Sequence, residues 1–135
     1  MRAVPRDVTH PATSPRALAD EAFVSLTTFR RSGEGVATPV WAIADPDGHG
    51  LVVMTPAGSG KVKRLRRDAR VTLRPCGRFG AVDEDAPTVE GTARIGDYDA
   101  RLEQAFKDTY GAEYRVIMGV ERLTGGKDRV ALHIT

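Results

Sequence analysis

The chain has 135 residues, of which 28% are charged and 41% apolar, and its formal net charge is +2. That length suits one domain with a core of its own. Cys76, the only cysteine, excludes an internal disulfide and favours a reducing, cytoplasmic setting. No apolar run approaches the ~20 residues of a membrane span.

Residues 1–14 are polar, hold Pro5 and Pro11, and lack the apolar stretch of a secretory signal. They read as a flexible arm, or one that docks on a partner subunit, ahead of a single domain over 15–135. Ser14-Pro15 suits a helix start, with a short helix expected over Pro15–Ala22. Phe23–Phe29 is β-branched and aromatic and reads as a strand. A turn at Ser32–Gly35 leads into a second strand, Val36–Ala44, as a hairpin. Pro39 lies inside that strand and cannot donate to a ladder, so it marks an edge, a bulge or an opening.

After a turn at Asp45–Gly48, Leu51–Thr55 reads as a third strand. Pro56–Gly60 is a small-residue loop, and Lys61–Asp68 a short helix. Val71–Arg74 and Thr88–Ile95 are two further strands, separated by a Gly- and Asp-rich loop. A helix then starts near Asp97, with an apolar stripe of Leu102, Ala105, Phe106, Thr109 and Tyr110. Gly111 ends it. A second short helix over Glu113–Leu123, a loop at Gly125-Gly126 and a closing strand, Arg129–Thr135, complete the chain. Short connections between strands favour antiparallel pairing. The expected fold is mainly β with short helices, a small six-stranded antiparallel barrel with the helices outside.

The charge is uneven. Lys61, Lys63, Arg64, Arg66, Arg67 and Arg70 stand against Asp68 alone over residues 61–70, so the rest of the chain is net acidic. A local basic patch suggests a local anion. Just before it, Gly58-Ser59-Gly60-Lys61 falls between a strand and a helix. The first amides of a helix lack internal partners, and the helix dipole is positive there. Glycine admits close approach, Ser59 adds a hydroxyl and Lys61 a charge. The segment also suits a plain Ser-capped helix with a solvated basic face. It is not a P-loop: Thr55 stands where that motif needs its first glycine, and Val62 follows the lysine. No dinucleotide fingerprint is present.

Thr38-Pro39-Val40-Trp41 is the second feature. The proline gap can free a backbone group for a ligand, and Trp41 is either a stacking surface or a core residue. His10, His49 and His133 match no zinc spacing, no metal site is expected, and no catalytic triad motif occurs. Cys76 reads as a small buried filler. Asp83, Glu84 and Asp85 read as solvated loop residues.

Four stretches taken in order carry a family resemblance. They are Phe23–Arg30, Ala37–Trp41, Ser59–Arg66 and Val89–Ala93. Over about residues 20–135 the chain resembles the FMN-binding split-barrel superfamily, the pyridoxamine 5′-phosphate oxidase-like proteins. Within it, the chain is similar to the actinobacterial branch that uses the deazaflavin coenzyme F420. The resemblance implies a six-stranded split barrel that forms a homodimer, with the cofactor, F420 or FMN, between the subunits. It implies that Thr38, Pro39, Val40 and Trp41 line the ring. Thr55, Ser59, Gly60 and Lys61 would hold the phosphate, with Lys63 or Arg64 assisting. It also implies that the loop Gly77–Pro87, which matches no shared motif, borders a substrate pocket. No catalytic acid or base can be placed.

The expected activity is an oxidoreductase that passes a hydride between F420 or FMN and a small organic molecule. The alternative is a non-enzymatic carrier or sensor with the same pocket. A nucleic-acid binder using residues 61–70 lacks interleaved aromatics and is set aside.

Overall fold

In the computed structural model, which describes residues 14–116 and 128–135, every strand pairing is antiparallel. A single 3-10 turn, Pro15–Leu18, leads into β1 (Val24–Phe29), β2 (Gly35–Val40), β3 (Ala42–Ala44) and β4 (Leu51–Pro56). Helix α1 (Gly60–Arg67) follows, then β5 (Arg70–Pro75), β6 (Val89–Asp97), α2 (Ala100–Tyr110) and β7 (Arg129–Ile134). The sheet order is β2-β1-β5-β6-β7-β4-β3.

That order explains the one departure in strand count. β2 and β3 are neighbours in sequence, with Trp41 alone between them, yet they lie at opposite ends of the sheet. The sheet has curled until its edges meet, forming a split barrel whose seam is crossed by the chain itself. The expected strand Val36–Ala44 is therefore two strands. Val40 still pairs with Val24 of β1, whereas Ala42 pairs with Val53 of β4. Pro39 sits opposite Ser25 on the edge strand β2, where a missing N–H is tolerated.

Side-chain alternation divides the core in two. Leu51 and Val53 of β4 point into the barrel with Leu26, Leu73, Leu132 and Ile134. Val52, between them, faces outward and packs with Trp41, Ile43 and Ala131 against Leu102 and Phe106 of α2. β4 is covered on both faces, which is why it reads as an unbroken apolar run. The α2 stripe is narrower than expected. Leu102, Ala105, Phe106 and Tyr110 pack inward, but Thr109 is exposed and its hydroxyl donates to the Ala105 carbonyl at 3.0 Å.

Helix α1 lies against β1 and β6 and inserts Leu65 into the barrel core. Burying that side chain stabilises the fold by roughly 1.5–3 kcal/mol. Leu18 joins the same core from the N-terminal turn, which is shorter than the helix expected over Pro15–Ala22. Residues 112–116 are helical, as the beginning of the helix expected over Glu113–Leu123. Its remainder, the Gly125-Gly126 loop and the arm up to residue 13 lie outside the described residues. Among the described residues no helix is long and apolar enough to cross a membrane.

Candidate functional site

The chain crosses the seam beside a cleft of about 290 Å³. Pro39, Val40 and Trp41 line it at the break, Met54, Thr55 and Pro56 from the end of β4, and Lys61 from the start of α1. Phe23, Arg78 and Arg129 complete the wall. Among the described residues most of the lining is apolar, three members are cations, and none is a carboxylate.

The start of α1 has a defined donor geometry. Ser59 caps the helix, its Oγ accepting from the Val62 amide at 3.4 Å and lying 3.3 Å from Thr55 Oγ1. The Lys63 amide bonds to the Ser59 carbonyl at 3.2 Å. The Gly60 and Lys61 amides have no acceptor among the described residues, as expected of a first helical turn. The Lys61 ammonium has no carboxylate within ion-pair distance among those residues. Burial, and then the nearby Arg64 guanidinium, hold its pKa below the ordinary 10.5. An anion in the cleft would relieve both effects.

Arg64 and Lys63 are placed differently. The Arg64 Nε donates to Thr28 Oγ1 at 2.7 Å, which ties α1 to β1. Its guanidinium lies over Gly60, 2.9 Å from where a Cβ would stand, so the glycine makes room for it. Lys63 is exposed, and neither residue lines the cleft. Thus Pro39, Val40, Trp41, Thr55 and Lys61 come together, and Ser59 and Gly60 stand at the adjoining helix start. Thr38 precedes them on β2, and its Oγ1 is buried without a hydrogen-bond partner.

Trp41 is both core and wall. It is 9% exposed, and one indole face is covered by Tyr110, with centroids 4.3 Å apart and planes 11° from parallel. Tyr114 lies 6.2 Å from it. The Tyr110 hydroxyl donates to the Ala22 carbonyl at 2.8 Å and accepts from the Ala42 amide at 3.2 Å. It thereby satisfies backbone groups at the point where the chain changes partners. Burial pushes its pKa up to about 12. Behind it, Tyr98 and Tyr114 share a hydrogen bond of 3.0 Å, and Tyr114 donates to Glu103 at 3.3 Å.

The lining residues Phe23, Met54, Pro56, Arg78 and Arg129 were not singled out from sequence. Arg129 reaches the cleft because β7 pairs Arg129 with Pro56, a long-range register that no local signal announces. Arg78 arrives on the loop after β5. It stacks over Phe23 at 5.3 Å and pairs with Glu113 at 2.5 Å. The rest of that loop turns to a separate acidic cavity of about 880 Å³, where Asp83, Glu84 and Asp85 join Glu21 and Cys76. Burial pushes the Cys76 thiol up, away from the reactive thiolate. His133 donates to or accepts from Asp45 at 2.8 Å, a contact between β7 and the turn after β3, away from the cleft.

The sequence model of the Pyridoxamine 5'-phosphate oxidase family matches residues 15–135. A comparison with curated protein sequences finds no match. Several solved structures share the fold. An F420 reductase is 18% identical with a TM-score of 0.59, over 92% of this chain and 93% of the other. The conserved hypothetical protein Rv2991 from Mycobacterium tuberculosis is 19% identical with a TM-score of 0.64, over 100% and 81%. HutZ, described as a heme storage protein from Vibrio cholerae, is 15% identical with a TM-score of 0.59, over 89% and 83%.

Proposed function

Because this chain belongs to the pyridoxamine 5′-phosphate oxidase family, we propose that its cleft binds a flavin or deazaflavin, FMN or F420, and that the protein is an oxidoreductase acting on a small organic substrate. The observation that carries the reading is the Lys61 ammonium, partly desolvated and without a partner among the described residues, next to two amides that likewise lack acceptors among them, beside a mostly apolar cleft. That combination suits one phosphoryl group on an otherwise apolar, planar ligand.

At about 290 Å³ the cleft is at the lower end of ligand cavities, which run from roughly 300 to 1,000 Å³. One chain seats part of such a ligand, and a second copy supplies the remaining wall. A homodimer with the cofactor between subunits belongs to the same proposal, as does a cytoplasmic location.

Such a ring, when bound, supplies the hydride chemistry. The residues of this chain do the rest. Lys61 and the Gly60 and Lys61 amides hold the tail. Val40 and Pro39 border the ring, with Trp41 as a fixed wall, and the apolar lining excludes water. No side chain of the lining is assigned as a catalytic acid or base. The haem described for HutZ is not carried over. Among the described residues the lining has no histidine, cysteine or tyrosine, and Met54 is its only sulfur.

Titration of the purified protein with FMN and with F420, read by ring fluorescence, tests the binding. Saturable binding of one of them supports the proposal, and binding of neither overturns it. Anaerobic mixing with reduced cofactor and conjugated enones, read by absorbance, then separates an enzyme from a carrier. Reoxidation supports the enzyme; none with any acceptor leaves the carrier reading in its place.

A further inference from the structure

Arg78 is not used by the binding of a phosphoryl tail at α1. It comes from the loop after β5, lines the same cleft as Lys61, and lies over Phe23 at 5.3 Å. Its position is fixed by the loop. The Gly77 amide bonds to the Ala81 carbonyl and the Gly80 amide to the Gly77 carbonyl, each at 3.0 Å. Gly80 has φ +91 and packs close to Pro39: a Cβ there would stand 3.7 Å from the proline ring. The loop thus rests on the edge strand β2, two residues before the chain crosses the seam.

The guanidinium is only partly satisfied. One terminal nitrogen meets Glu113, and the other nitrogens have no acceptor among the described residues. The side chain is 56% exposed. A planar fork with a free edge, beside an aromatic ring and in a cleft whose lining among the described residues holds no carboxylate, can take a carboxylate through two parallel N–H···O bonds. Arg78 and Lys61 stand on different elements, so the cleft offers an anion anchor apart from the start of α1.

We infer that Arg78 binds a carboxylate on the substrate, so that the cleft accepts small conjugated carboxylic acids in preference to their neutral analogues. This rests on the reading of Lys61 as the site of the cofactor's phosphoryl group. Arg78 anchors the acid at the loop side of the cleft, and Phe23 and Met54 offer apolar contact for its carbon skeleton. A fixed anchor orients the acceptor relative to a ring held beside Trp41.

The test is calorimetric titration of the full chain, with and without saturating FMN or F420, using cinnamate and its neutral amide as probes. The acid is expected to bind roughly tenfold more tightly than the amide or better, the scale of a charge-assisted hydrogen bond. Arg78→Gln should abolish that preference, and Arg78→Lys should retain part of it. Lys61→Gln should keep the preference while weakening cofactor binding. Both Arg78 variants alter an exposed loop side chain, and circular dichroism reports their folding. Equal affinity for acid and amide, an unchanged preference in Arg78→Gln, or no saturable binding of either probe would overturn the inference. Failure of the wild-type chain to bind FMN or F420, or an unchanged cofactor affinity in Lys61→Gln, overturns the reading of Lys61 and is measured separately by ring fluorescence.

Discussion

Trp41 and Tyr110 lie face to face, 4.3 Å between centroids, and the Tyr110 hydroxyl reaches past the indole to the backbone of Ala42 and Ala22. The residue that crosses the seam is thus clamped by a helix from outside the barrel. Tyr110→Phe keeps the stack and removes the clamp. It should cost about 1 kcal/mol, because the part-buried Ala42 amide loses its acceptor, whereas the exposed Ala22 carbonyl turns to water. Denaturant unfolding checks this, and unchanged stability would show that water replaces the hydroxyl without loss.

The same residue sets an alkaline limit. Its pKa rises from 10.0 in a free tyrosine to about 12 in the fold, through burial first. Between those values the unfolded chain loses its proton before the folded one does. The folded state then holds more protons, and stability falls with rising pH. The contribution is complete below pH 10 and is lost as pH rises to about 12. Thermal melts across that range should show the decline, less steep in Tyr110→Phe.

Lys61→Ala should weaken FMN or F420 binding by about 1–3 kcal/mol, the scale of a hydrogen bond between charged groups. The pH dependence has a definite sign. The free protein holds the Lys61 pKa below 10.5, and an anion favours the charged form. Affinity should therefore fall as pH rises through that lowered value, and the fall should disappear in Lys61→Ala. An unchanged dissociation constant would remove Lys61 from the site.

Ser59→Ala separates capping from ligand contact. The lost cap should cost about 0.5–2 kcal/mol of stability. Ser59 Oγ is already engaged with the Val62 amide and Thr55, so cofactor affinity should change less than in Lys61→Ala. A larger loss of affinity than of stability would assign the hydroxyl to the ligand.

Gly50→Ala tests the fit of the turn against β7. A Cβ at Gly50 would stand 1.7 Å from the Ile134 carbonyl oxygen, and a backbone group cannot step aside as a side chain can. The substitution should cost about 3 kcal/mol or more, the upper range for overpacking. A wild-type melting temperature would contradict the packing described.

Much of the fold was legible because local signals agree with the tertiary result. The β-branched runs became β1, β4 and β5, and Leu102 and Phe106 mark the buried face of α2. Pro39 announced an irregularity, but not that the chain would leave one edge of the sheet for the other two residues later. That exchange depends on which strands pair, and pairing is long-range. The same reason hid half of the cleft. Lys61 and Trp41 stand out by type and position, whereas Arg129 matters only through its register with Pro56, and Arg78 only through the path of its loop. Thr109 misled because helical spacing does not reveal where the opposing surface ends.

No ladder joins β2 to β3 among the described residues. Every neighbouring pair of strands is tied by ladder hydrogen bonds, whereas β2 and β3 are joined only through residue 41. The seam is therefore held by side chains: opening it would break the Tyr110 stack on Trp41 and the Tyr110 bond to the Ala42 amide, and no strand ladder.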